Sequence, residues 1–273
     1  MQTVPAAPTL DHASGAVVAV LAGALLAIGA HVGALALLVA VAVTQAALVV
    51  SWIVGTGLPG RIGAAVLAAL AAGGADTMVS VWPHGQLGAL LPVLGLVMPV
   101  AFVHQLTRGV VRTRVVESLS DITVLIVATV ALAAFVQLRH ELLPQLTVYT
   151  VVLAISAALV AGHFCDLVIS SPRFDPAVRR GLPAVVLGAA VAALIAQLQL
   201  GGQLEFTSGR GLFLGAAIGV LAGLFGVGAG FIQVATSLPT GGRAVRLQPV
   251  FGTLLPLALA GPVAYLLCLA IHA

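Results

Sequence analysis

Forty-one consecutive residues, 14 to 54, contain no Asp, Glu, Lys or Arg. This stretch limits what the chain can fold into more than any motif does. A helix crossing a bilayer needs roughly 20 apolar residues. The stretch is therefore long enough for two crossings, with a tight connection near Gly29–Gly33 around His31. The first, at about 16 residues, is short for a crossing. Runs of the same kind occupy 62–82, 85–106, 118–138, 145–165, 181–200, 210–234 and 248–271, which makes nine in all. Backbone polar groups in lipid must be satisfied within the segment that carries them. The expected fold is therefore an all-α integral membrane protein of about nine transmembrane helices. Residues 1–13 read as a polar N-terminal tail and 14–273 as a single polytopic membrane domain.

Composition agrees. The 273 residues are 61% hydrophobic and 7% charged, with a mean hydropathy of +1.20. A water-soluble domain of this length cannot hide so much apolar surface. All 11 basic residues are Arg, so no Lys is present to form a Schiff base or hold a phosphate. A net charge of +3 spread over membrane loops points to topology control and anionic lipid rather than nucleic acid. Cys165 and Cys268 lie in or beside apolar segments without ligand spacing and read as small buried hydrophobes. The first fifteen residues lack the basic start and cleavage context of a signal peptide.

The loop charges are asymmetric. The connections after spans two, four, six and eight hold Arg61; Arg108, Arg112 and Arg114; Arg173, Arg179 and Arg180; and Arg243 and Arg246. The other side holds only Arg139 and Arg210. Positive residues mark the cytoplasmic face. The expectation is a multi-pass protein of the inner (plasma) membrane, with the N-terminus cytoplasmic and the C-terminus outside. Residues 107–121, "TRGVVRTRVVESLSD", are amphipathic enough to lie along the cytoplasmic interface. Small residues recur in "GAAVLAALAAGG" and "LGAAIGVLAGLFGVGAG", where they allow close helix packing. The Gly219–Gly223 spacing does not by itself establish a dimer.

Ionisable residues inside apolar spans are costly, so each is a lead. Asp76, in "GGADTMVSVWP", either lines a polar cavity, pairs with an Arg of another helix, or sits solvated near the interface. Asp121 reads as a solvated helix start. His163 and Asp166 lie three apart at the end of a span, so they share a helix face. They could share a proton or a divalent ion, although two groups are too few for a metal site; a hydrogen-bonded helix end is the other reading. His104 reads as an interfacial polar residue. No HExxH, GxSxG or Walker motif occurs, and no Asp or Glu follows Glu205.

Several words of the sequence share a family order. They are "HVGALALLVAVAVTQAALVV" (31–50), "VSVWPHGQLGALLPVLGLVMPV" (79–100), "VVESLSDITVLIVATVALAAFVQLR" (115–139), "FCDLVISS" (164–171) and "LLPLALAGPVAYLL" (254–267). Together they resemble the bacterial phosphatidate cytidylyltransferases, the membrane CDP-diacylglycerol synthases, from about residue 15 to 271. The second word is similar to the family's WP-(F/H)-G-x-x-GAL turn, and "FCDLVISS" stands where the family has S-D-x-x-x-Y. The resemblance implies a cytidylyltransferase-like fold. It also implies a chemistry in which phosphatidate attacks the α-phosphate of CTP, assisted by divalent ions on Asp residues. The family's late signature runs S-x-x-K-R, K-D, P-G-H-G-G, D-R-x-D. Here that stretch reads "GVGAGFIQVATSLPTGGRAVRLQPV", without its Lys, His or Asp residues. Leu238, Pro239, Gly241 and Gly242 alone resemble the turn, and "DPAVRRG" replaces the earlier S-P-K-K-x-x-E-G. Asp166 is the one ligand that carries over.

One carboxylate cannot hold a metal pair against a triphosphate. Losing several charged ligands costs many orders of magnitude in phosphoryl transfer. The expectation is a catalytically silent relative, with no catalytic residue, metal or cofactor. It would act as a partner or lipid-binding subunit of a membrane complex, with anionic membrane lipids and another membrane protein as partners. His163 and Asp166 are the remnant site, and Arg173, Arg179 and Arg180 the lipid head-group site. Two alternatives stand beside it. One is a diverged cytidylyltransferase or other lipid phosphotransferase using His163, Asp166, Arg179 and Arg180. The other is a transporter or channel using Asp76.

Overall fold

In the structure, a computed structural model, the described residues are 9–57, 60–107, 115–140, 144–169, 171–176, 178, 180–200, 208–236 and 243–272. The helices are α1 (Thr9–Val32), α2 (Ala34–Thr56), α3 (Arg61–Val81), α4 (Leu91–Thr107), α5 (Val115–Leu132), α6 (Ala134–Leu138), α7 (Pro144–Val168), α8 (Leu182–Leu200), α9 (Ser208–Thr236) and α10 (Arg243–His272). A 3-10 segment, Pro83–Leu90, leads into α4, and α5 with α6 makes one broken span. Among the described residues nine spans are long and apolar enough to cross a membrane, and no strand occurs. The chain is a multi-pass helical membrane protein. Its outward faces carry Leu21, Ile28, Leu70, Leu96 and Leu198, side chains that lipid rather than water accommodates.

The first span is longer than the sequence pattern indicates. It runs 21 residues, His12–Val32, and α1 begins at Thr9, inside the expected tail. The turn into α2 takes a single residue, Gly33, whose N–H donates to Gly29 O and whose carbonyl accepts from Leu37 N–H. Gly29 permits this because a Cβ there would stand 3.0 Å from Leu37 Cα. The α2–α3 turn is bracketed by Gly57 (φ 63°) and Gly60 (φ 78°), both in the left-handed region where a side chain is strained.

Residues 115–121 do not lie along the interface. They are the first turns of α5, docked on α4 by Gln105 Nε2 donating to Ser118 Oγ at 3.1 Å, both residues buried. Residues 108–114 lie outside the described residues.

Two helix groups meet on α10. It packs against α1, α7 and α9 of one and α2, α5 and α6 of the other, and α1 also packs directly on α2. Helices α1, α7, α8 and α9 form the first group, and α2 to α6 the second. Trp52 of α2 and Phe251 of α10, both fully buried, join the groups with ring centroids 5.2 Å apart. Lipid gives helices no hydrophobic drive to associate, so close backbone approach has to supply the packing. The α8–α9 pair shows this. A Cβ on Gly219 would lie 2.6 Å from Ala189 Cα, and one on Gly223 3.1 Å from Val185 Cα. The Gly219–Gly223 face is therefore occupied inside the chain and is not open to a partner.

Candidate functional site

His163, Phe164, Cys165 and Asp166 lie in the last two turns of α7, and the chain returns to α8 through residues 169–181. The return is antiparallel: Arg173 bridges to Gly181, and Leu182 N–H donates to Pro172 O at 2.9 Å. This fold-back places the backbone of Gly181 and the side chain of Arg180 against Asp166. Gly181 N–H donates to Asp166 Oδ1 at 2.9 Å, and Arg180 Nε lies 3.5 Å from Asp166 Oδ2. Both residues are 6% exposed. The guanidinium fits inside the bundle because Gly226 of α9 has no side chain to meet it. Burial pulls Arg180 below its ordinary pKa, and Asp166 opposes this by charge and hydrogen bonding. Asp166 and Arg180 thus form a clasp between the end of α7 and the start of α8.

His163 stands one turn back, its ring against Gly15 of α1. Thr253 Oγ1 of α10 donates to Gly15 O at 3.4 Å and lies 3.2 Å from His163 Nε2. With the hydroxyl proton directed at Gly15, the ring proton belongs on Nε2 and Nδ1 is the acceptor. Nδ1 is buried with no partner among the described residues. The ring of His12 lies 5.8 Å from that of His163. Gln233 of α9 donates to Gln248 O at 2.7 Å. His12, His163, Arg180, Gln233 and Thr253 line a cavity of about 40 Å³, near the size of a single water site.

The structure thus brings His163, Asp166 and Arg180 together, and it buries Arg180, one of the three arginines expected to form the head-group site, while Arg173 stays exposed. Arg180 is turned inward because its charge is matched by Asp166 inside the bundle. Arg173 is exposed on the returning segment, and Arg179 lies outside the described residues. The sequence reading missed His12, Gln233 and Thr253. Gln233 within the apolar "GFIQVA" and Thr253 within "FGTLL" were the signal for the last two. Among the described residues no three His, Cys, Asp or Glu side chains converge as a metal site.

Asp76 lies apart from this pocket, on α3. Its Oδ1 accepts from Gln45 Nε2 of α2 at 3.1 Å. The same amide donates to Thr129 O at 3.0 Å. That carbonyl is available because the fifth span breaks at Ala133, whose N–H turns to Val130 O instead. The unmatched polar groups of three helices are thereby joined in the second helix group. No family model, no curated protein and no solved structure matches this chain, so both sites stand on their own geometry.

Proposed function

We propose that this protein is a catalytically silent, cytidylyltransferase-like membrane subunit that holds an anionic lipid at the Arg-rich end of α7 and α8. One observation carries the reading: Asp166, the carboxylate of the pocket, is already taken by its own chain. One oxygen accepts from Gly181 and the other faces Arg180. A carboxylate buried and clasped in this way holds two helices, and one such group cannot assemble the several oxygen ligands of a metal–triphosphate complex.

The lipid part of the proposal rests on charge. Arg173 is exposed at the end of a span, and Arg179 stands one residue before the clasp. An Arg fork matches a phosphate with two parallel hydrogen bonds. Each basic residue at an anionic surface contributes about 1 kcal/mol, so the two together change affinity by about thirtyfold. The Arg asymmetry of the loops supports a cytoplasmic position for this end, and the resemblance to the bacterial cytidylyltransferases supports an inner membrane.

Two measurements test the proposal. Purified protein given CTP and phosphatidate is expected to make no CDP-diacylglycerol above a detergent blank. CTP-dependent product that Asp166→Ala abolishes would establish the enzyme instead. In native mass spectrometry, the Arg173→Gln/Arg179→Gln variant is expected to lose anionic lipid that the wild type retains. Equal retention by both refutes the lipid site. Arg180 is left intact in that variant because of its place in the clasp.

A further inference from the structure

A groove of about 410 Å³ runs between α2 and α3. Its walls are Ala42, Ala46 and Val50 on one helix and Ala69 and Gly73 on the other, all exposed on the outer face of the bundle. The groove opens sideways to lipid over the middle of α2, residues 42–50, and over residues 65–76 of α3. Small residues alone would mean only that lipid tails or neighbours come close. The floor of this groove is different, because Gln45 and Asp76 lie in it.

Gln45 is 2% exposed. Its two hydrogen bonds, to Asp76 Oδ1 and Thr129 O, both need a donor, which fixes the amide with Nε2 on that side. Its Oε1 accepts no hydrogen bond from any described residue. Asp76 Oδ2 has no donor among the described residues either. Asp76 lies five residues before the end of α3, about 7.5 Å into the span. The groove thus offers two acceptors and a negative charge at membrane depth.

No described cation of the chain pairs with Asp76. Arg61 is at the opposite end of α3, fifteen residues from Asp76 and about 22 Å away. Arg139 donates to Ala30 O at the end of α1, and Arg180 is clasped to Asp166. A second copy meeting this groove symmetrically would bring acceptors against acceptors. A mobile ion would have to arrive through lipid, since the opening faces the side of the bundle.

We propose that this groove receives a transmembrane helix of another protein, carrying one Arg or Lys at the depth of Asp76. The cation donates to Asp76 Oδ2 and Gln45 Oε1, while the small-residue walls let the backbones approach. This interface is separate from the lipid site at α7 and α8, and either can fail without the other.

The test uses full-length protein in phosphatidylcholine vesicles with synthetic Leu/Ala helices of about 21 residues. One peptide carries a single Arg roughly six residues from one end, and its control carries Leu there. Association is read by energy transfer between labels on peptide and protein. The Arg peptide is expected to associate about tenfold more tightly than the Leu peptide, and Asp76→Asn to abolish that preference. Gly73→Leu serves as a second variant. It leaves the carboxylate in place, its Cβ meets nothing within 4 Å inside the protein, and its side chain fills the groove. It is expected to block both peptides. Equal association of the two peptides with the wild type overturns the proposal. So does an Arg preference that survives Asp76→Asn. Sodium protection of Asp76 from a lipid-soluble carbodiimide, without peptide preference, would identify a small-cation site instead.

Discussion

Removing the carboxylate of the clasp by Asp166→Ala should destabilise the first helix group more than any other single change near the pocket. The substitution leaves the Arg180 guanidinium, 6% exposed, without its counter-charge, and Gly181 N–H without its acceptor. Breaking a buried ion pair from one side costs about 3–5 kcal/mol. The 3.5 Å separation is longer than a close charge-assisted hydrogen bond, so the lower end applies. The Gly181 bond adds about 1 kcal/mol. A total of about 4 kcal/mol is close to a thousandfold in the unfolding equilibrium. The assay is reversible unfolding in mixed micelles of Asp166→Ala, and of a double-mutant cycle built from Asp166→Leu and Arg180→Met. The double variant Asp166→Leu/Arg180→Met is expected to recover most of the loss, because an apolar pair of similar volume avoids both desolvation and an unpaired charge. Single-variant losses below about 1 kcal/mol, or losses that add in the double variant, would refute the clasp.

Three further predictions follow from the packing and the charges. Gly219→Leu is expected to destabilise by about 1–3 kcal/mol or more, because its Cβ meets the Ala189 backbone. Gly228→Leu, at an exposed position whose Cβ would meet nothing within 4 Å, should be near neutral in the same unfolding assay. Gln45→Leu strips the Thr129 carbonyl and Asp76 of their donor and should cost about 1–3 kcal/mol; an unchanged midpoint would show that the network is replaceable. Reporter fusions after residues 110, 175 and 242 should all register cytoplasm, and a periplasmic signal from any of them overturns the proposed orientation.

Hydropathy by itself determined the all-helical membrane class and the approximate position of every span. Lipid leaves a chain with such long uncharged runs almost no other way to satisfy its backbone. The unusual charges Asp76, His163 and Asp166 were legible for the same reason, since a charge in an apolar run stands out. What those charges do was decided by tertiary structure. Asp166 and Arg180 are fourteen residues apart, and only the fold-back of 169–181 turns Arg180 from a surface cation into the partner of a buried carboxylate. Asp76 meets Gln45 across 31 residues and, through it, Thr129, whose carbonyl is released by a helix break that no hydropathy pattern marks. Likewise, Gly219 and Gly223, whose spacing by itself did not establish a dimer, proved to be where α8 and α9 pack. A sequence reveals which faces are small, but only the assembled bundle determines which of them are already filled.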